Sequence, residues 1–224
     1  MTVRWYHARA GEVPADDEWL TDHERAVMAG LAVAKRRADW RLGRWTAKTL
    51  AASVLGVPPH HVEVRAADDG APDAFVDGGR AELSLSLSHR DGVAVAAVAP
   101  LPVRVGIDLE SLEARSDAFV REWLSAEERA ALPNEGDARD LRVLCCWTGK
   151  EASAKVLREG LRLDVRQATV VAALPAAGWA PMTVTWRTEG IVHRGWWRKD
   201  DAAVIAVVTD PPTGPPVPSV VTAR

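Results

Sequence analysis

The sequence predicts an α+β fold: a pseudo-twofold duplication of two similar α/β halves with an active site in the cleft between them. Three observations point there. Trp45-Thr46-Ala47-Lys48 opens a stretch ending Ala52-Ser53-Val54-Leu55, and Trp147-Thr148-Gly149-Lys150 opens one ending Ala154-Lys155-Val156-Leu157, with Trp, Thr, Lys, Ala, Val and Leu in register. Asp91-Gly92-Val93-Ala94-Val95 is echoed by Asp201-Ala202-Ala203-Val204-Ile205. Two matches in one order, about half a chain apart, exceed what chance gives among Ala/Val-rich segments. The third is size: 224 residues and 24.2 kDa suit two domains of modest length. The expected division is 1–102 and 103–210, followed by a Pro-rich tail at 211–224.

Each element has a local reason. Val3 to His7 reads as a first strand. Thr21 and Glu24 form an S/T-x-x-E capping box for a helix running toward Leu31. A long helix spans Ala34 to Leu55 and stops at Gly56, with Pro58-Pro59 beyond. Val62 to Arg65 is a strand, and Asp68-Asp69-Gly70-Ala71-Pro72-Asp73 is turn chemistry. Leu83 to Ser88 alternates strictly, the period of a half-buried strand, and Val93 to Ala99 is apolar throughout, as in a strand covered on both faces. Val103 to Glu110 continues the series. Helices follow at 117–124, at 125–132 behind the capping box Ser125-Ala126-Glu127-Glu128, and at 140–158. Strands are expected at 169–172, 182–187 and 203–208. The tail, with prolines at 211, 212, 215, 216 and 218, is expected to be mobile and to join neither helix nor sheet.

Apolar residues make up 47% and charged residues 26%, enough for a packed core. The net charge of -3 excludes a protein that coats nucleic acid by bulk positive charge. Cys145 and Cys146 are neighbours, a poor geometry for a structural disulfide and too few for a zinc cage. The first residues lack the apolar stretch of a signal peptide, and no apolar run is long enough to span a bilayer. A cytoplasmic protein without a membrane partner is expected.

Four groups of residues could carry chemistry. On a strand, Asp108 and Glu110 of Gly106-Ile107-Asp108-Leu109-Glu110 share one face within roughly 7 Å. They repel unless a cation lies between them, and Mg²⁺ suits such a pair. On spacing alone, two solvated acids on an edge strand is the commoner reading. On the helix that begins the second repeat, Trp147, Glu151 and Lys155 fall on one side. The bland reading is a surface ion pair; the sharp one is a third metal carboxylate with a cation beside it. Ser88-His89 ends the alternating strand before a turn, where it could grip a phosphate or simply face solvent. Last, Arg37, Arg41, Arg44 and Lys48 form one stripe, and Lys35 to Lys48 carries six cations against Asp39. That is either a solvated helix face or a seat for a polyanion. Only the second repeat has ionisable groups at Glu151 and Lys155; the first has Thr49 and Ser53 there. Neither a Walker loop nor a dinucleotide fingerprint occurs. The four groups together fit a metal-assisted reaction at a phosphate.

The order of these motifs resembles the 4′-phosphopantetheinyl transferases of the surfactin type. Gly106-Ile107-Asp108-Leu109-Glu110 is similar to the family's G-I-D-x-E, and Trp147 to Lys155 to its W-x-x-K-E-x-x-x-K. Ser86-Leu87-Ser88-His89 resembles its S-x-S-H turn, and Arg36-Arg37 with Gly43-Arg44 its N-terminal basic pattern. The resemblance implies a holo-[acyl-carrier-protein] synthase type of enzyme, monomeric, that moves 4′-phosphopantetheine from coenzyme A to a serine of an acyl or peptidyl carrier protein. Adenosine 3′,5′-bisphosphate would be released. It implies Mg²⁺ on Asp108, Glu110 and Glu151, with Glu151 taking the serine proton. Lys155, and less strongly Lys150, would meet the transferring phosphate. His89 with Ser88 would grip a coenzyme A phosphate, and Arg37 and Arg44 the 3′-phosphate or adenylate region, so that the first half holds the nucleotide and the second the metal. Trp123 and Leu124 are positional candidates for receiving the carrier. One departure is Ala71 where the family commonly has lysine, leaving Arg65 or Arg80 to substitute. Another is Gly149, which costs a helix about 1 kcal/mol against Ala. A metal-dependent nuclease or phosphohydrolase and a non-catalytic coenzyme A binder are the rival classes.

Overall fold

The computed structural model describes residues 1–159, 163–174, 178–188 and 190–219. It is a mixed α+β protein whose chain divides into two compact units, Met1–Val105 with Val217–Arg224, and Gly106–Pro216.

The first unit contains β1 (Arg4–Arg9), α1 (Asp22–Ala29), α2 (Ala34–Leu55), β2 (Val62–Ala66), β3 (Pro72–Val76), β4 (Gly79–Arg80), β5 (Leu83–Arg90) and β6 (Val93–Pro100). β1, β6 and β5 form an antiparallel sheet with β6 in the middle, and β2, β3 and β4 form a second one. Its central place explains the unbroken apolar run of β6: Ala94 to Ala99 are buried on both faces. The 22-residue α2 lays Ala47, Leu50 and Ala51 against Val62, Val64, Leu85, Ala96 and Val98. It ends as the sequence predicts, with Gly56 in the left-handed conformation.

The second unit contains β7 (Arg104–Ser111, from Gly106 onward), α3 (Asp117–Trp123), α4 (Ala126–Ala130), α5 (Asp137–Leu157), β8 (Ala168–Ala172), β9 (Ala180–Trp186), β10 (Ile191–Asp200) and β11 (Ala203–Asp210). Five strands make one sheet in the order β7-β11-β10-β9-β8. α5 covers one face, burying Leu144, Cys145 and Val156 with Val170, Met182, Val184, Trp186, Val204 and Ala206. The two cysteines are free thiols, and burial pushes Cys146 up to about 12, so both are inert packing groups.

Three expectations need correction. β3 begins at Pro72, inside the segment read as a turn; the turn itself closes earlier, at Gly70, where Gly70 N–H reaches Ala67 O at 2.8 Å. β10 was not foreseen, because its buried positions are His193, Gly195 and Trp197 and its outward ones include Val192, so hydropathy does not alternate in the usual sense. The tail also joins a sheet: β12 (Val217–Pro218) pairs in parallel with Arg4 and Trp5 of β1. Val217 N donates to Val3 O and Ser219 N to Trp5 O, while Pro218, which has no N–H, occupies an edge position that asks for none. Residues 220–224 of that tail lie outside the described residues.

Gly106 lets β7 run directly under α5. A Cβ there would lie 1.9 Å from Ala152 O and 3.1 Å from Val156 N, both helix backbone that cannot rotate away. Gly106→Ala is expected to lower stability by about 3 kcal/mol or more, read by urea unfolding. A loss under about 1 kcal/mol would mean that the helix yields easily at this crossing.

The core of the second unit also holds a polar chain. Trp186 Nε1 donates to Ser153 Oγ at 2.8 Å, which leaves the Ser153 hydroxyl to donate to His193 Nδ1, also 2.8 Å away. His193 is 2% exposed, and burial lowers its pKa from 6.5, with Asp210 opposing. The unfolded chain therefore takes up the proton first. Stability should be complete above about pH 6.5 and fall as pH drops below it. His193→Asn, which keeps an acceptor for Ser153, should flatten the slope of unfolding free energy between pH 7 and 5; an unchanged slope would assign the effect elsewhere.

Candidate functional site

The second unit brings Asp108, Glu110, Glu151 and Lys155 into one electrostatic group. β7 supplies the two acids on the face opposite Ile107 and Leu109, and all four of those residues are buried. Lys155 Nζ donates to Asp108 Oδ1 at 2.8 Å and to Ile107 O at 2.9 Å, which ties α5 to β7. Trp147 Nε1 donates to Glu110 Oε1 at 2.9 Å, and Arg115 Nη2 to Glu110 Oε2 at 2.7 Å. Trp147 itself is wedged edge-on against Phe119, with Trp123 at 5.5 Å between ring centres. Glu151 is half-buried. Burial raises its pKa, the charges of Asp108 and Glu110 raise it further, and Lys155 opposes them.

The donor set suits a hard divalent cation: three carboxylates, two on one strand face and one on the facing helix, crowded enough for two of them to disfavour the charge of the third. As placed, no group of three His, Cys, Asp or Glu among the described residues stands ready to enclose an ion. Lys155 and Arg115 hold two of the three acids instead.

Lys150 does not join this group. Its side chain is wholly buried, with Nζ 2.7 Å from Glu128 Oε2 and 2.8 Å from Trp123 O. Where the resemblance gave Lys150 a weaker phosphate role, the structure places it as the counter-ion of a capping-box glutamate. Glu128 Oε2 also accepts from Ser125 N at 2.7 Å and Oε1 from Val170 N at 2.8 Å, so one carboxylate fastens α4, α5 and β8 together. The first unit contains the same set of bonds. Glu24 Oε2 accepts from Lys48 Nζ and from Thr21 N at 3.1 Å, and its Oε1 accepts from Val64 N at 3.0 Å. Thr46 and Thr148 each donate to the carbonyl four residues back, at 2.7 Å. The Trp-Thr-x-Lys repeat is thus an architectural signature. Sequence reading found both capping boxes and both Trp-Thr-x-Lys segments but did not couple them; the shared order S/T-x-x-E-R then W-T-x-K was the available signal.

The basic stripe on α2 also differs from expectation. Arg41 meets Asp17 and the carbonyls of Pro14 and Asp16. Arg44 donates to Val64 O, lies 3.8 Å from Glu24 and stacks 4.7 Å over Trp40. Lys48 is fully buried. The acids that balance the stripe come from outside the helix, so counting charges along α2 alone overstated it. Arg37 is partly buried and donates to Leu31 O at 2.8 Å. Ser88 and His89 sit at the end of β5, opposite Val95 and Ala94 of β6, with His89 exposed. Arg65 pairs with Glu63 at 2.6 Å and Arg80 with Asp73 at 2.9 Å, so each has an acid partner in its own unit. Leu124 is 2% exposed, too buried to receive a partner; Trp123 is half-buried. Gly149 has its reason too: a Cβ would come within 2.8 Å of Met182 Cε.

Residues 104–203 match the model of the 4′-phosphopantetheinyl transferase superfamily, and they include Asp108, Glu110, Glu151 and Lys155. The match covers 100 of the 224 residues, a little under half of the chain, and is to a superfamily whose general activity is phosphopantetheinyl transfer. No curated protein matches the chain. Among the described residues, no helix is long and apolar enough to cross a membrane.

Proposed function

We propose that this protein is a surfactin-type 4′-phosphopantetheinyl transferase using coenzyme A and a carrier protein, and that its two units are copies of one ancestral unit. The observation that carries the reading is the acid group of β7 and α5, with Lys155 resting on Asp108 inside the matched segment. Support for the duplication is the Glu–Lys pair with identical backbone partners in each unit.

In this reading the serine oxygen of the carrier forms a bond to the phosphorus that bears the pantetheine arm. The bond from that phosphorus to the bridging oxygen breaks, and adenosine 3′,5′-bisphosphate leaves. Asp108, Glu110 and Glu151 would hold Mg²⁺, which when bound neutralises charge on the pyrophosphate. Glu151 accepts the serine proton, from a position on α5 where it faces the two acids of β7. Lys155 leaves Asp108 for the transferring phosphate. Trp147 keeps Glu110 in orientation. Ser88 and His89 grip a coenzyme A phosphate, and Arg37 and Arg44 serve the nucleotide end. Since Arg44 is already bonded to Val64 O, its contribution is the field of a fixed cation more than a flexible contact.

Incubation with coenzyme A, Mg²⁺ and an apo carrier protein should raise the carrier's mass by one phosphopantetheine. Absence of that gain on several carriers would overturn the reading. Coenzyme A binding without turnover would favour a binder, and cleavage of DNA or RNA a nuclease.

A further inference from the structure

Glu110 is gripped at both of its carboxylate oxygens. Its Oε1 is fixed by the Trp147 indole at 2.9 Å and its Oε2 by Arg115 at 2.7 Å. The Arg115 side chain is 14% exposed and the Glu110 side chain 11%, so this pair is poorly screened by water. Arg115 has a second acid within reach. Glu113, on the same connecting segment and 61% exposed at its side chain, lies 3.7 Å from Nη1. The Phe119 ring, 5.7 Å from the guanidinium carbon, gives the cation an apolar face to pivot against.

We propose that Arg115 is a built-in counter-ion that competes with the divalent cation for Glu110, and so sets how well the site takes metal on its own. The inference rests on the proposed metal role of Asp108, Glu110 and Glu151. In the protein alone, Arg115 neutralises Glu110. When a cation is taken up, the guanidinium moves from Glu110 to Glu113, while Trp147 keeps the carboxylate pointed into the group. A bare ion has to displace Arg115 unaided. Arg115 on Glu110 would thus disfavour a cation alone and favour one that came with an anionic pyrophosphate, whose own charge and ligands would offset the guanidinium. Arg115 is a positioning residue here and does not touch the reacting atoms.

The test is Mn²⁺ binding without coenzyme A, followed by the electron paramagnetic resonance signal of the free ion, with thermal melting as the check on folding. Arg115→Gln removes a cation from within hydrogen-bond distance of a buried carboxylate. With the competing charge gone, Mn²⁺ should bind about tenfold more tightly. Arg115→Lys should stay near wild type. Glu113→Gln removes the alternative seat of the guanidinium and should weaken Mn²⁺ a few-fold. Unchanged or weaker binding in Arg115→Gln, with wild type binding normally, would overturn the counter-ion role and leave the metal reading standing. Absence of Mn²⁺ binding in wild type and all three variants would remove the metal reading and this inference with it.

Discussion

Asp108→Ala is expected to cut phosphopantetheine transfer by roughly 10²–10⁴-fold, while the protein still melts as one folded species. Asp108 is buried on β7, and Lys155 rests on its Oδ1. Removing it takes away one of the three acids and the carboxylate on which Lys155 rests, while the bond from Lys155 to Ile107 O stays in place. The fold should survive, because the acids disfavour one another: the charges of Asp108 and Glu110 both push the Glu151 pKa upward. Glu151→Gln tests the same point from the other side. Burial makes the ionised form of Glu151 costly in the folded state, so the neutral amide should match or exceed wild-type stability while transfer falls by a similar factor. Intact mass of the carrier reads the transfer and a urea titration reads the fold. Full transfer by Asp108→Ala would remove the metal assignment, and a clear destabilisation by Glu151→Gln would show that this carboxylate supports the fold as an ion.

The largest stability effect is expected from Glu128→Gln, a loss of about 3–5 kcal/mol. Lys150 is wholly buried and its charge is met by Glu128 Oε2. Without that carboxylate a buried ammonium keeps only the Trp123 carbonyl, and the N–H groups of Ser125 and Val170 face an amide that can accept through one oxygen only. The double variant Glu128→Gln/Lys150→Met should recover most of the loss, since removing both partners of a buried pair is often close to neutral. The cycle separates the stranded charge from the lost backbone bonds. A single-variant loss below 1 kcal/mol would mean that Lys150 finds another partner or gives up its proton. The corresponding change at Glu24 should behave alike in the first unit, where burial already lowers the Lys48 pKa.

Much of the fold was legible because it is governed by local rules. The α2 stop at Gly56, the strict alternation of β5 and the unbroken apolar run of β6 each state their environment in a few neighbouring residues. What stayed hidden was set by partners distant in the chain. Arg41, Arg44 and Lys48 looked like an open basic face because Asp17 and Glu24 lie outside α2. β10 was obscured because its inward positions include a histidine bonded to a serine of α5. In the candidate site, strand and helix periodicity placed Asp108 with Glu110 and Glu151 with Lys155 on shared faces, and only the order of the motifs and the resemblance it carries singled them out as site residues. The phosphate role of Lys150 came only from the resemblance, while the repeat pairs it with Lys48. The matching Lys48 stands in a unit with Thr49 and Ser53 in place of the acid and the second lysine, so that lysine cannot be tied to phosphate chemistry alone. Arg115 carried no motif at all, and only its reach to Glu110 marks it.

The parallel pairing of β12 with β1 has a consequence for synthesis. One edge of the first unit's sheet is laid down among the first ten residues, and its neighbour arrives only after the whole of Gly106–Pro216 has been made. The second unit is, in covalent terms, a long excursion between two adjoining strands. A ribosome-bound chain can therefore complete the second unit while the first still shows an open edge, and that edge is covered only by residues made after the second unit.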